Sequence, residues 1–300
     1  MRNRSGPGHA RCWLALVMLL LAAPPLLARQ TPAGRSSLYV PIPGSVDELS
    51  LEARTMPGST AGSPTAYGPG WGDGYVGVGF VHRARYAPVR PWNEFLDSAD
   101  GAVSVGFGVG NALELIGLDV NIASYSTVRR GFGNRVGVSF KAHRVLPNFW
   151  GVAVGYENAI RRGGVDAEPS LFAVVSKVWY DDDDDTAFHS LTASVGVGNG
   201  RFRREADIAA GRERINVFAA AGVQVFRPLS VLADWTGQDL AAGISLVPFM
   251  LPFMPESVRD IPFVVTLALA DLTGTAGDGA RLIVGGGLGF RWDGLMDSLR

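Results

Sequence analysis

Regular alternation of apolar and polar residues over many strand-length segments is the feature that most limits what this chain can fold into. In NRVGVSFKAHRV, at 134–145, Val136, Val138 and Phe140 occupy every second position, with polar residues or glycine between them. Successive side chains of a strand point to opposite faces, so this segment predicts a strand with one apolar face and one polar or closely packed face. The sequence contains about twelve such segments, approximately at 74–85, 101–110, 114–125, 134–143, 149–158, 171–180, 188–198, 215–226, 229–236, 239–247, 262–271 and 281–292.

The lengths of these segments and of their connections favour a membrane barrel. Most segments have 8 to 12 residues, close to the roughly 9–11 that a tilted strand needs to cross a bilayer, whereas soluble strands have about 5–6. Longer connections alternate with shorter ones, as in outer-membrane barrels, and VPFMLPFMPESVRD at 247–260 is an exception on the short-turn side. We predict an all-β fold, an antiparallel transmembrane β-barrel of about 12 strands over 74–292, with both termini in the periplasm because the strand number is even.

Glycine, rather than charge, dominates the second face of these segments. The chain contains 39 glycines in 300 residues and only 18% charged residues, against usual values of about 7% and about 25%. Glycine on a narrow concave face lets strands curve and leaves room inside a small barrel. Alternation also occurs in half-buried soluble sheets, so a soluble exported β-sandwich or barrel remains an alternative.

The N-terminal region is predicted to be an export signal followed by an irregular segment. Residues 1–28 have a basic start, an apolar run and two prolines, the layout of a signal peptide cleaved near Ala28. Pro24 and Pro25 make the apolar run too short for a membrane anchor. Cleavage would also remove Cys12, the single cysteine. Residues 29–73, rich in Pro, Gly, Ser and Thr, are predicted to form a flexible periplasmic lead-in, and 293–300 a C-terminal tail.

Aromatic residues near predicted strand ends suit the two membrane interfaces, where transmembrane barrels carry aromatic girdles. For any one ring, an ordinary place in a protein core is the alternative. The interface aromatics predicted from the sequence are Trp150, Tyr156, Trp235, Phe290 and Trp292.

Isolated charges interrupt the glycine-rich face, and we predict that they line the barrel lumen. Basic residues outnumber acidic ones among them, which predicts a mild anion preference if the lumen is open, because charged rings bias which ions pass. The alternative is an internal ion-pair network that plugs a narrow barrel. The predicted lumen-lining residues are Arg83, Arg85, Asp119, Arg135, Lys141, His143, Glu157, Lys177, Asp234 and Arg281, with Arg291 near the end of the last strand.

The last alternating segment, RLIVGGGLGFRW at 281–292, resembles the terminal β-signal by which outer-membrane barrels of double-membraned bacteria are recognised for insertion. ADWTGQDLAAGISL at 233–246 is similar to segments of uncharacterised porin-like barrels of such bacteria, and the likeness covers roughly 64–292. The resemblance implies an outer-membrane location, contact with outer-membrane lipid, and insertion by the barrel-assembly machinery through the last strand. It implies no activity.

The sequence gives little support for nucleotide binding, cation binding, catalysis or nucleic-acid binding. GFGVGN and GGGLGF repeat glycine within strands, whereas a dinucleotide site needs a strand-to-helix turn. The Asp run at 181–185 is more typical of a solvated turn than of a cation site. His82, His143 and His189 are scattered, and the chain contains no Gly-x-Ser-x-Gly motif. A net charge of −1 does not suggest nucleic-acid binding.

We therefore expect no enzyme activity, no cofactor and no metal, and predict a narrow porin-like channel for passive passage of small solutes. One alternative is a plugged barrel with a structural or envelope-assembly role.

Overall fold

The computed structural model describes residues 56–85, 87, 89, 91, 94, 97–125, 127, 132–163, 168–180, 189–258, 263–275 and 279–291. Of Arg291, only the backbone is described. The predicted signal peptide, most of the lead-in, the Asp run at 181–185, Trp292 and the C-terminal tail lie outside the described residues.

Twelve antiparallel strands form a closed barrel, which confirms the predicted all-β fold. Each strand pairs with its neighbours in sequence, and β1 pairs with β12 from Asp73↔Arg291 to Val81↔Ile283. Closure gives every strand two partners and leaves no open sheet edge. The strands are β1 Asp73–Val81, β2 Asp100–Gly110, β3 Gly117–Tyr125, β4 Val136–Leu146, β5 Trp150–Arg162, β6 Ser170–Tyr180, β7 Ser190–Gly198, β8 Asn216–Phe226, β9 Leu229–Trp235, β10 Leu240–Leu246, β11 Phe263–Ala270 and β12 Arg281–Arg291.

Short helical turns occur only in connections among the described residues. The α-helix α1 (Glu205–Ala209) lies between β7 and β8. The 3₁₀ turns include Pro147–Phe149, Gly200–Phe202, Pro248–Met250 and Glu256–Val258. No helix in the described part of the chain is both long and apolar enough to traverse a bilayer.

The two faces of each strand differ in the way that the alternation predicted. On β7, Ser190, Thr192 and Ser194 are buried inside the barrel, whereas Val195 and Val197 are 57% and 40% exposed on the outside. Large apolar side chains are exposed on the outer face of every strand except β4, and together they form the outer belt. One member from each of these strands is Val76, Val105, Leu118, Trp150, Val175, Val195, Val217, Val231, Ile244, Leu267 and Leu288.

The barrel has two distinct ends. The end where β1 begins and β12 ends is called the terminal rim, and the opposite end the loop rim. Loop-rim connections span 82–99, 126–135, 163–169, 199–215, 236–239 and 271–280, and terminal-rim connections span 111–116, 147–149, 181–189, 227–228 and 247–262. The loop-rim connections are the longer ones on the whole, with 247–262 as the exception that the sequence indicated.

Candidate functional site

Part of the predicted lead-in lies inside the barrel rather than outside it. Residues 58–70, called the lumen segment, bond to inward-facing side chains of five strands, β1, β4, β6, β9 and β10. The Gly58 amide donates to the Ser245 hydroxyl of β10 (2.7 Å), and the Ala66 amide donates to the Ser176 hydroxyl of β6 (2.9 Å). Polar side chains on the inner face thus hold a chain segment rather than line an empty pore.

Asp234 of β9 makes the densest contact with the lumen segment. Its Oδ2 accepts hydrogen bonds from the backbone amides of Ala61 (2.9 Å) and Ser63 (2.8 Å), and its Oδ1 accepts one from the Ser63 hydroxyl. The carboxylate is fully buried. It therefore pins the turn at 61–63 to the barrel wall, and the sequence had predicted only that Asp234 faces the lumen.

The lumen segment follows a U-shaped path. Its C-terminal part lies near the terminal rim, where the Tyr67 hydroxyl donates to the carbonyl of Phe149 (2.6 Å). The turn at 61–63 reaches Asp234, next to the loop-rim end of β9. The N-terminal part returns to Ser245, next to the terminal-rim end of β10. The segment enters and leaves at the same end of the barrel.

Glycines on the inner face provide the room for this segment. A Cβ at Gly222 would lie 2.5 Å from the Cα of Ser59, and one at Gly108 would lie 2.3 Å from the carbonyl oxygen of Gly70. Any larger residue at these sites would displace the segment, because backbone cannot yield as a flexible side chain does. The glycine-rich face that the sequence revealed therefore accommodates backbone as well as strand curvature.

One side of the lumen is tightly packed. Phe172 of β6, Phe218 of β8 and Phe202 of the β7–β8 connection form an apolar cluster with Ala66 of the lumen segment. The rings of Phe202 and Phe218 stack with centroids 4.4 Å apart. Sequence reasoning missed this cluster, although two large rings on a face of otherwise small residues were a visible signal.

The other side of the lumen is open. A cavity of about 260 Å³ lies between residues 58–61 and the inner faces of β11, β12, β1 and β2. On this wall a Cβ at Gly79 would meet nothing within 4 Å, and one at Gly285 would come no nearer than 3.8 Å to its closest neighbour. We call β11, β12, β1 and β2 the glycine wall of the cavity.

Near the terminal rim, three predicted lumen residues come together. Lys141 pairs with Asp119 (3.4 Å) and donates to the carbonyl of Tyr67 in the lumen segment (2.7 Å). His143 is fully buried, and its ring occupies the space next to Gly117 and Gly68 that a Cβ at either glycine would fill. These charges serve contacts within the barrel.

Near the loop rim, Glu157 pairs with a residue that the sequence did not single out. Arg201, in the β7–β8 connection, donates two hydrogen bonds to Glu157 and one to the carbonyl of Gly62 (2.9 Å). Burial alone would lower the pKa of Arg201, but the charge and hydrogen bonds of Glu157 raise it above its ordinary value. The guanidinium thus remains charged above the turn of the lumen segment.

A second charged cluster joins three connections at the loop rim. Asp239 accepts a hydrogen bond from Arg281 at the start of β12 (2.9 Å) and another from Arg85 of the β1–β2 connection. Arg85 also pairs with Glu205 of α1 (3.2 Å). Arg83 donates to the carbonyl of Gly279 (3.0 Å). These predicted lumen residues therefore lie at one mouth and tie its connections together.

Lys177 lies on the outer face, which differs from its predicted lumen position. On β6, Phe172, Val174, Ser176 and Val178 are buried inside, so the odd-numbered Lys177 points outward. Its ammonium lies 5.6 Å from the ring centroid of Trp150 and 5.8 Å from that of Trp179. Both faces of β6 carry apolar residues, so the alternation pattern could not show which face Lys177 lies on.

The other predicted residues have varied positions. Arg135 is buried at the end of the β3–β4 connection, and only the backbone of Arg291 is described, paired with Asp73. Trp150 and Phe290 lie on the outer face at the terminal rim, and Trp235 ends β9 at the loop rim. Tyr156 lies in the middle of β5, because that strand continues to Arg162.

Within the described residues, no three His, Cys, Asp or Glu side chains cluster as metal ligands would.

No protein-family model matches this sequence, and no curated protein matches it. Among solved structures, the chain is similar to the Acinetobacter baumannii outer membrane protein Omp33, with 12% identity and a TM-score of 0.35, over 73% of this chain and 97% of that chain.

Proposed function

We propose that this protein is an outer-membrane β-barrel that acts as a narrow channel for small solutes, and that the solutes pass between the lumen segment and the glycine wall. The proposal assigns no catalytic step to the chain. The observation that carries it is the combination of an apolar outer belt with a cavity on one side of the lumen.

The outer belt argues for a lipid environment. Soluble monomers rarely expose large contiguous apolar surfaces, whereas the lipid-facing band of a transmembrane barrel is apolar all around. Here exposed apolar residues occur on eleven of the twelve strands, and much of the inner face is already occupied by the lumen segment and the phenylalanine cluster. A soluble protein of this shape would leave the belt in water at a large free-energy cost.

The terminal rim is assigned to the periplasm because it carries the ends of β1 and β12 and most of the short turns. Export by the signal peptide at 1–28 and insertion by the barrel-assembly machinery through β12 belong to this proposal. The mild anion preference stays a prediction. Three of the basic residues on which this prediction rests, Lys141, Arg85 and Arg281, pair with carboxylates, and so they contribute less to attracting anions.

Neighbouring glycines of β12 provide the test of the passage. The backbones of Gly285 and Gly286 both line the cavity, but a side chain at Gly285 would point into it, whereas one at Gly286 would point outward, beside Val78 and Phe263. In planar bilayers, the refolded protein should conduct, Gly285→Leu should reduce its single-channel conductance, and the matched control Gly286→Leu should leave it unchanged. Equal conductance in both variants would show that solutes do not pass along the glycine wall.

The alternative is a closed barrel with a structural or assembly role, and the hydrogen bonds of the lumen segment favour it. The same recordings separate the two functions: a correctly folded barrel without conductance would support the closed barrel.

A further inference from the structure

The cavity beside the glycine wall has an unusual lining for a channel. Among the described residues that line it, none carries a formal charge. Three residues with hydroxyl groups line it, Ser59 and Thr60 in the lumen segment and Ser104 on β2, and none of these hydroxyls has a hydrogen-bond partner in the described part of the chain. These groups can donate to or accept from a molecule in the cavity.

Two more lining residues, Tyr75 and Thr266, carry hydroxyl groups that are held in place by their neighbours. The Tyr75 hydroxyl donates a hydrogen bond to Asp119 (3.2 Å) and accepts one from the side-chain amide of Asn121 (2.9 Å). The Thr266 hydroxyl donates to Ser245 (3.0 Å). Each oxygen keeps a lone pair for a ligand, and its direction is already fixed, which lowers the ordering cost of binding.

The nearby charges are used elsewhere. Asp119 pairs with Lys141, Asp234 accepts hydrogen bonds from the lumen segment, and Asp239 pairs with Arg281. An ion that crosses the cavity gains no charged partner from the lining, so the lining conducts ions only weakly and does not bind them. A neutral hydroxylated molecule would exchange hydrogen bonds with water for hydrogen bonds with hydroxyl groups, at little cost.

The cavity size limits the ligand. Its volume of about 260 Å³ is just under the roughly 300–1,000 Å³ of pockets that hold drug-sized molecules. Val264 and Ile283 add apolar surface to the lining, which suits the C–H faces of a polyol. We propose that the cavity is a binding site for small uncharged polyhydroxylated solutes, the class of the tetritols and monosaccharides. This inference rests on the proposed channel function and specifies the solute.

The experiment compares erythritol with succinate and putrescine, charged molecules of the same carbon number. The refolded protein is placed in liposomes for solute-dependent swelling, and in micelles for saturation-transfer NMR from the protein to erythritol. Erythritol should enter faster than both charged molecules and should receive saturation from the protein.

Paired variants identify the site. Thr60→Val with Ser104→Ala removes two cavity hydroxyls, and should weaken erythritol binding by about two- to tenfold per hydroxyl, the effect of one neutral hydrogen bond. Thr192→Val removes an inward hydroxyl of β7 outside the cavity and should change nothing. Heat-dependent gel mobility confirms that each variant folds.

The outcomes distinguish this inference from the channel function. Two outcomes would overturn the binding site and leave the channel function standing. One is conductance with equal entry of charged and neutral molecules, and the other is erythritol binding that the double variant does not weaken. Erythritol binding without conductance or swelling would overturn the channel function and leave the binding site in a closed barrel.

Discussion

A single buried carboxylate, Asp234, determines where the lumen segment turns. It accepts two backbone amides and one hydroxyl from residues 61–63. Hydrogen bonds to charged groups contribute about 1.5–3 kcal/mol each, and buried donors that lose their acceptor carry a further cost. The folded position of the segment therefore depends strongly on this one side chain.

We predict that Asp234→Ala makes the lumen segment mobile. Loss of one such hydrogen bond alone should raise the fraction of molecules with a displaced lumen segment by about tenfold or more. The single-channel current should therefore become noisier and show larger substates. Ser230, an inward, buried serine of the same strand without a side-chain partner among the described residues, provides the control. Indistinguishable single-channel traces for Asp234→Ala and Ser230→Ala would contradict the role of Asp234.

At the scale of elements, the lumen segment lies against the barrel closely enough to be cross-linked. A Cβ placed on Gly58 lies 3.7 Å from the Cβ of Ser245, within the usual range of about 3.5–4.5 Å for a disulfide. Cys12 is the only native cysteine, so Cys12→Ser gives a clean background.

We predict that Gly58→Cys with Ser245→Cys forms a disulfide that leaves conductance intact, because the passage lies beside the segment. In the Asp234→Ala background, oxidation should restore a quiet current, and reduction should bring the noise back. The two single cysteine variants should not respond to redox state. Loss of conductance on oxidation of the otherwise native barrel would mean that the segment must move for solutes to pass.

The β7–β8 connection depends on Arg203, whose side chain is 2% exposed. It donates to the carbonyls of Gly200 and Arg212 (both 3.0 Å) and to Glu213 (3.0 Å), and it pairs with Glu168 of the β5–β6 connection. The connection in turn presents Phe202 and Arg201 to the lumen.

Arg203→Ala should lower the free energy of unfolding by about 1–3 kcal/mol, the usual cost of leaving buried polar groups unpaired, and should expose the connection to trypsin. Arg203→Lys should rescue only part of this loss, since an ammonium lacks the planar fork of guanidinium. The neighbouring Arg204 is exposed, and Arg204→Ala is the control in urea unfolding. Equal stability of the two alanine variants would contradict the bracing role of Arg203.

For the whole molecule, the decisive property is the solvent around the outer belt. In lipid, an arginine costs about 2–4 kcal/mol at the bilayer midplane and about 0–1 near the interfaces. Val195 lies in the middle of β7, and Ile215 directly precedes β8 at the loop rim, with 57% and 53% of their surfaces exposed.

We therefore predict that Val195→Arg destabilises the barrel refolded in liposomes by several-fold more free energy than Ile215→Arg. Denaturant unfolding of the two variants measures the difference. In a soluble barrel both sites would face water, and the two substitutions would have similarly small effects.

The strands were predictable because alternation is a local property. The segment predicted at 171–180 is β6, Ser170–Tyr180, and the one predicted at 281–292 is β12, Arg281–Arg291. The orientation of Lys177 was not predictable, since apolar residues occur on both faces of β6. Its outward position follows from its pairing with Trp150 on β5, a contact that only the assembled sheet provides.

By itself, the sequence determined the strands, their number, and a glycine-rich inner face opposite an apolar outer one, because each of these depends on neighbours within about ten residues. Only the tertiary structure decided what fills the barrel. Residues 58–70 are polar and irregular in composition, and their partners are distant in sequence, as with Gly58 and Ser245, which are 187 residues apart. Closure of the sheet brings these groups together, and so a segment that reads as a lead-in becomes one wall of the cavity.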